Sequence, residues 1–229
     1  MADHKKLIAL FREKEGGLSR KTTDRASEHP SPCRYKDKDG QWKKGWHTNK
    51  GVTYLTFKSN GSKLGYSVNC KNFFYMPDEI WIKIYKHLYW DTWDNDNIES
   101  QAIADTLVWW SWGSGNGGAT RSAQKFLAKQ GITAPTQKDV AKELDGLVKK
   151  MGEKRLFDKL ILHRREFYDN TGQQANIPGW NNALNKFVAY GADHMESVLK
   201  NMSMAMKVGL TVTVIAGLGY AYYLTTKKS

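Results

Sequence analysis

Glu15 stands four residues after Phe11 and eight after Leu7, on one stripe of a helix read over residues 3–15. Side chains at that spacing share a face, and an apolar stripe turns its face inward. Gly16-Gly17 stops the helix directly behind it, so Glu15 also sits at a helix C-terminus, where the backbone dipole disfavours negative charge. Both influences raise a carboxyl pKa toward the range in which a general acid works near neutrality. A solvated glutamate at a frayed helix end fits the same stripe, so the residues that follow must decide. Asp24 comes nine positions later, and His47-Thr48-Asn49-Lys50-Gly51-Val52-Thr53 follows in turn. A Glu after one helix, an Asp in the next loop and a Thr beyond it can surround one cleft. In glycoside cleavage one carboxyl group protonates the leaving oxygen while a second group handles water or the developing cation.

Other side chains offer supporting chemistry. Trp42 and Trp46 lie in a polar loop with little core to bury them, so both are candidates for stacking on pyranose C–H faces. His47 either places substrate or water beside Thr48 or bonds its own loop backbone. Trp109, Trp110 and Trp112 present similar rings, but on one apolar helix they read as core. His29, His87 and His163 lack ligand spacing to Cys, Asp or Glu, so no metal is expected. No cofactor is expected either: the Gly-rich stretch 113–118 lacks the Lys-Ser/Thr of a phosphate-binding loop. Cys33 and Cys70 are too few for a disulfide scaffold and form no CxxC; they either pair with each other or stay ordinary thiols.

A mainly α body has to hold these residues. After the helix at 3–15, residues 18–50 read as polar loop, 52–57 as a short β-prone piece and 59–65 as a turn region. Pro77-Asp78-Glu79 opens a helix, with proline and two acids in its first turn. Its broad apolar face carries Ile80, Trp81, Ile84, Tyr85 and Leu88. A further helix covers 97–112, breaks at the glycines of 113–118 and restarts over 119–129. Residues 136–150 and 153–169 are amphipathic helices, 172–179 a break, and 180–206 helical again. No internal repeat occurs.

At this point the sequence resembles a family. Glu15-Gly16-Gly17, the Asp nine residues after the Glu, and Thr-x-x-Gly-Val-Thr over 48–53 are similar to glycoside hydrolase family 108, phage and bacterial muramidases with a lysozyme-like fold. Trp81 and Tyr89-Trp90-Asp91, then Ser100-Gln101-Ala102-Ile103-Ala104, then residues 124–127, continue the likeness. Arg164/Arg165-Glu166-Phe167-Tyr168 and Gly179-Trp180 resemble the closing elements of the family's peptidoglycan-binding portion. The resemblance spans about residues 5–190. It implies an α+β lysozyme-like fold, with Glu15 as general acid, Asp24 as its partner and Thr48 placing water or substrate. Three departures stand out. Residues 25–47 replace a tight turn between Asp24 and Thr48, an insertion that either moves Asp24 out of the cleft or adds substrate-binding surface. Val108-Trp109 stands where the family has Asp-Trp, and no Arg follows Gly179-Trp180.

The whole chain bounds these readings. Its 229 residues carry 35 Lys+Arg against 23 Asp+Glu, a net charge of +12, which suits nucleic acid, an anionic membrane or an acidic wall polymer. Zinc-finger, basic-zipper and RNA-binding signatures are absent, so nucleic acid is not expected as a partner. Half of the net charge, 13 basic against seven acidic side chains, falls in residues 1–50. The N-terminus does not read as a secretory signal, because only five apolar residues, 7–11, precede Arg12. Residues 208–226 carry no charge and are bracketed by Lys207 and Lys227-Lys228. As a helix they extend roughly 28 Å, close to one hydrocarbon thickness, with Tyr220, Tyr222 and Tyr223 suited to the interface.

The expected organisation is therefore a lysozyme-like catalytic region over 1–132, a helical peptidoglycan-binding continuation over 133–206, and a transmembrane helix with a basic tail over 207–229. The expected function is an endolysin-like peptidoglycan hydrolase, an N-acetylmuramidase membrane-associated and acting at the periplasmic side. It reaches the wall through a holin, by insertion of its tail, or inside a virion. The alternative is a non-catalytic, lysozyme-derived wall-binding or virion component held by the same helix.

Overall fold

The computed structural model describes residues 1–14 and 16–200, apart from the side chains of 14, 193, 194 and 196–200. It is mainly helical with short strands. Glu15 and the stretch 208–226 lie outside the described residues. Among those described, no helix is long and apolar enough to cross a membrane.

Met1–Ala183 form one compact unit, and the described residues from Leu184 on fall outside it. That unit is organised on α5 (Gln101–Ala128), whose residues 101–111 are all buried. A helix apolar on every side belongs inside a core. Ser100 caps it by accepting from the Ile103 N–H at 3.2 Å. Helices α6 (Gln137–Met151) and α7 (Glu153–Asp169) pack on α5 and on each other. Thr136 and Asp139 form a reciprocal capping box at the start of α6. Helix α8 (Ile177–Lys200) starts three residues earlier than the sequence suggests, because the break over 172–179 is taken up by a 3-10 turn at Gln174–Asn176.

The glycine-rich break in α5 is also narrower than its composition implies. Only Gly115 leaves helical geometry (φ 69°, ψ 158°), a region that needs glycine. The helix kinks there and goes on. Ser114 Oγ donates to the Trp110 carbonyl at 2.9 Å and accepts from Arg164 Nη2 at 2.6 Å, so α7 is tied to the kink. Arg164 is itself buried, with its guanidinium over the rings of Trp110, Phe167 and Tyr168.

Upstream, α1 (Ile8–Lys14) is preceded by turns rather than by the full helix expected from residue 3. The first residues are instead fastened to α5: Asp3 N–H donates to Gln101 Oε1 at 2.7 Å, and Gln101 Nε2 donates back to the Asp3 carbonyl at 3.1 Å. The β-prone stretch 52–57 is corrected too. Only Val52–Thr53 pair as strand; Tyr54–Asn60 are helix α2. Thr53 makes the switch, its Oγ1 accepting from the Thr56 N–H at 3.1 Å as an N-cap. Helix α3 (Cys70–Tyr75), capped by Asn69, had no expectation. Helix α4 (Asp78–Tyr85) begins after Pro77 as expected, buries Ile80, Trp81, Ile84 and Tyr85, and passes into a π-helical turn at Lys86–Trp90.

Candidate active site

Three strands make one small antiparallel sheet: β1 (Leu18–Ser19), β4 (Thr48–Asn49) and β5 (Val52–Thr53), in the order β1-β4-β5. Thr48 pairs with Thr53 and Asn49 with Val52, which leaves Lys50-Gly51 as a two-residue turn. Both have positive φ, 48° and 76°, the combination that matches strand twist in a tight hairpin. Glycine adopts it freely; a lysine does so at a cost of roughly 1–2 kcal/mol. Lys50 is held there by bonds from every part of the residue. Its N–H donates to the Gly17 carbonyl at 3.3 Å, its carbonyl accepts from Trp81 Nε1 at 2.9 Å, and its Nζ donates to the Met76 carbonyl at 2.9 Å.

These bonds draw the end of α1, the β4–β5 turn and the start of α4 around one pocket of about 290 Å³, lined by Arg12, Gly16, Gly17, Lys50, Asp78 and Trp81. Asp78 forms ion pairs with Arg12 Nη2 at 2.9 Å and with Lys50 Nζ at 3.6 Å. These three side chains leave one net positive charge at the pocket. Trp81 is 2% exposed and is backed by an aromatic cluster. Its ring stacks on Tyr85 at 5.4 Å and meets Trp112 at 5.7 Å, while Phe11 lies against Trp109 and Trp112 at 5.5 and 4.7 Å. Trp109 and Trp110 are buried, as core.

Glu15 falls outside the described residues; Gly16 and Gly17, next in sequence, line the pocket. Asp24 is exposed, and its Oδ1 accepts from the Ala26 N–H at 2.9 Å, capping the 3-10 turn Arg25–Glu28. Thr48 is half-buried on β4, and its hydroxyl meets His47 Nδ1 at 2.9 Å. His47 is fully buried and its Nε2 is 3.1 Å from the Lys21 carbonyl. A carbonyl only accepts, so Nε2 donates to the Lys21 carbonyl, and the remaining ring nitrogen, Nδ1, faces the Thr48 hydroxyl, which can both donate and accept. His47 is thus enclosed, with both ring nitrogens engaged within the fold. Exposure of Trp46 is corrected. The residue is 7% exposed, and its Nε1 donates to the Lys43 carbonyl at 3.1 Å. Trp42 is 55% exposed.

The insertion over 25–47, within the stretch 18–50 read as loop, has structure of its own. Strands β2 (Tyr35–Lys36) and β3 (Trp42–Lys43) pair as a hairpin. Tyr35 packs its ring on Phe74 at 4.7 Å and edge-on to Trp46 at 6.2 Å. Cys33 and Cys70 form a disulfide that fastens this segment to α3. Arg12, Lys50 and Asp78 are the pocket residues that sequence reasoning did not single out. The Lys50-Gly51 turn was the available signal, since a two-residue link between short strands has to bend with positive φ. Among the described residues, no group of three His, Cys, Asp or Glu could hold a metal ion.

Residues 8–115 match the family model described as Glycosyl hydrolase 108. That segment is similar to glycosyl hydrolase family 108. It contains Glu15, the β4–β5 hairpin, the aromatic cluster and α5 as far as its kink. Among solved structures, the chain is similar to that described as "Structure of Brucella abortus SagA", at 17% identity and a TM-score of 0.57, over 82% of this chain and 93% of the other. At that identity the likeness concerns the fold alone. No curated protein sequence matches the chain. For a glycosyl hydrolase 108 segment the coarse chemistry is that of a glycosidase, and the family implies peptidoglycan as substrate.

Proposed function

We propose that this protein is a peptidoglycan hydrolase that cleaves the glycan strand as an N-acetylmuramidase, with Glu15 as general acid. One observation carries the reading: within the segment that matches a glycosidase family, the described pocket is lined by the two glycines that follow Glu15. Glu15 protonates the glycosidic oxygen as the bond to the anomeric carbon breaks, and the developing cation is met by water or by a second group. Asp24 is our candidate for that second group and Thr48 for placing the water, held by its bond to His47. The net positive charge of the Arg12–Asp78–Lys50 group suits a glycan that carries carboxylates.

Glu15→Gln keeps size and polarity and removes the proton. It is expected to abolish clearing in a zymogram of purified cell walls and the release of reducing sugars, with helical content unchanged. Full lysis by that variant would overturn the assignment, and product masses from the wild type identify the bond cut. The disulfide supports a place of action on the oxidising side of the membrane. The wall-binding, non-catalytic reading keeps one observation in its favour: one oxygen of Asp24 already caps a turn. It predicts wall binding with no sugar released.

A further inference from the structure

The β2–β3 hairpin has one face that neither the core nor the pocket uses. Its register sets Lys36 opposite Trp42 and Tyr35 opposite Lys43. Alternation in a strand sends neighbours to opposite faces. Tyr35 turns inward onto Phe74, so Lys36 and Trp42 share the outward face, with Lys36 Nζ 5.5 Å from the centre of the Trp42 ring. More than half of that indole is exposed, although a hairpin of two residue pairs gains little from displaying it. Around it Arg34, Lys36, Lys38 and Lys44 are all exposed, and among the described residues none of them has an ion pair.

The hairpin is also rigid at both ends. At the tip, Asp37 Oδ1 accepts from the Gln41 N–H at 2.9 Å and the Asp39 N–H at 3.0 Å, and Gly40 turns with φ 75°. At the base, the Cys33–Cys70 disulfide ties the segment to α3. A surface fixed before it meets a partner loses little entropy on binding. A flat aromatic face suits the C–H face of a pyranose, and ammonium groups at its edge suit carboxylates. Single-stranded nucleic acid is gripped by successive aromatic platforms in a cationic groove, whereas on this face of the hairpin Trp42 stands alone; the exposed ring of Tyr75 lies by Tyr35, on the other face.

We propose that this hairpin is a second contact for an anionic glycan strand, outside the pocket, with Trp42 stacking on a sugar ring and Lys36, Lys38 and Arg34 pairing with carboxylates. The proposal rests on the wall-glycan reading of the pocket. It makes the insertion an arm that holds the polymer while the pocket acts on it, and the disulfide the clamp of that arm.

The test uses the full chain carrying Glu15→Gln, so that bound walls are not digested. Cosedimentation with purified insoluble peptidoglycan at about 150 mM salt is compared with the same chain carrying W42A/K36A. The added pair is expected to weaken binding about tenfold, K36E/K38E at least as much, and W42Y less than threefold, each with the disulfide intact by mass. Binding within twofold of the parent for both W42A/K36A and K36E/K38E overturns the arm. So does displacement by duplex DNA at concentrations where soluble wall fragments displace nothing, which would mark a general polyanion surface. Failure of the pocket reading is seen elsewhere, as lysis that survives Glu15→Gln.

Discussion

At the residue scale, Asp78 and Lys50 contribute to the charge of the pocket together with Arg12, and each can be changed without altering Glu15, the acid we propose. Removing the carboxylate leaves Arg12 and Lys50 uncompensated, whereas removing Lys50 leaves a balanced Arg12–Asp78 pair. Nearby positive charge favours the ionised form of a carboxylic acid and so lowers its pKa. A general acid is active below its pKa, so the alkaline limb of the pH–rate profile moves with it. Asp78→Asn is expected to move that limb down, and Lys50→Met to move it up, each by roughly half a unit to one unit. Both ion pairs are exposed, and such pairs contribute only about 0–1 kcal/mol to stability, so the pH profile is the sensitive measurement and the melting temperature is not. Two variants that shift the limb in the same direction would show that the rate does not depend on an acid beside this group.

At the scale of elements, the Cys33–Cys70 bond closes a loop with a sequence separation of 37. The chain-entropy model puts its stabilisation at about 4 kcal/mol as an upper figure. The Cys33→Ser/Cys70→Ser double variant is therefore expected to lower the denaturation midpoint and to make the β2–β3 segment the first site of proteolysis. A midpoint equal to the wild type, measured without reductant, would show that the hairpin is held by Tyr35 and Trp46 alone. The sequence left this bond as one of two readings, because the spacing of two cysteines does not say whether their loops meet in space. Periodicity did locate α4, α6 and α7, whose apolar faces repeat at helical spacing. It misplaced residues 54–60, where Tyr54, Leu55 and Phe57 read as strand and the Thr53 cap outweighs them. It took Trp46 for a surface residue because a polar stretch concealed the core it shares with Tyr35. The sequence offered Glu15, Asp24 and Thr48 as candidates by their order, whereas Arg12 and Asp78 could not be singled out, since only the fold brings them together.

The contact between α5 and α7 has a pH dependence of its own. His163 Nε2 donates to the Ser122 carbonyl at 2.9 Å, and burial holds the ring pKa below its ordinary value, with Lys129 lowering it and Glu166 opposing. The unfolded chain therefore takes up a proton near pH 6.5 while the folded one does not. Stability is full above that pH and falls as the pH drops through 6.5 toward the folded value. His163→Gln keeps a donor for Ser122 and cannot titrate. Its melting temperature is expected to fall less than that of the wild type between pH 7 and 5; an equal fall would clear His163 of the effect.

At the scale of the whole molecule, the question is where the charge and the tail place the protein. A net charge of +12 attracts a chain toward anionic lipid whether or not any segment inserts, and that attraction is screened by salt. Insertion of residues 208–226 would depend instead on apolar area. The two are separated with zwitterionic vesicles at high salt, where only insertion survives. Under those conditions the full chain is expected to float with the vesicles and a chain ending at residue 206 to stay behind. Protease added outside the vesicles then reports which side the glycosyl hydrolase 108 segment occupies. The lysines at 200 and 207 before the stretch, and at 227 and 228 after it, are too evenly placed to set orientation by charge alone. A full chain that remains soluble with zwitterionic vesicles would assign its membrane contact, if any, to charge, and leave the cationic arm and pocket as the means of holding it at the wall.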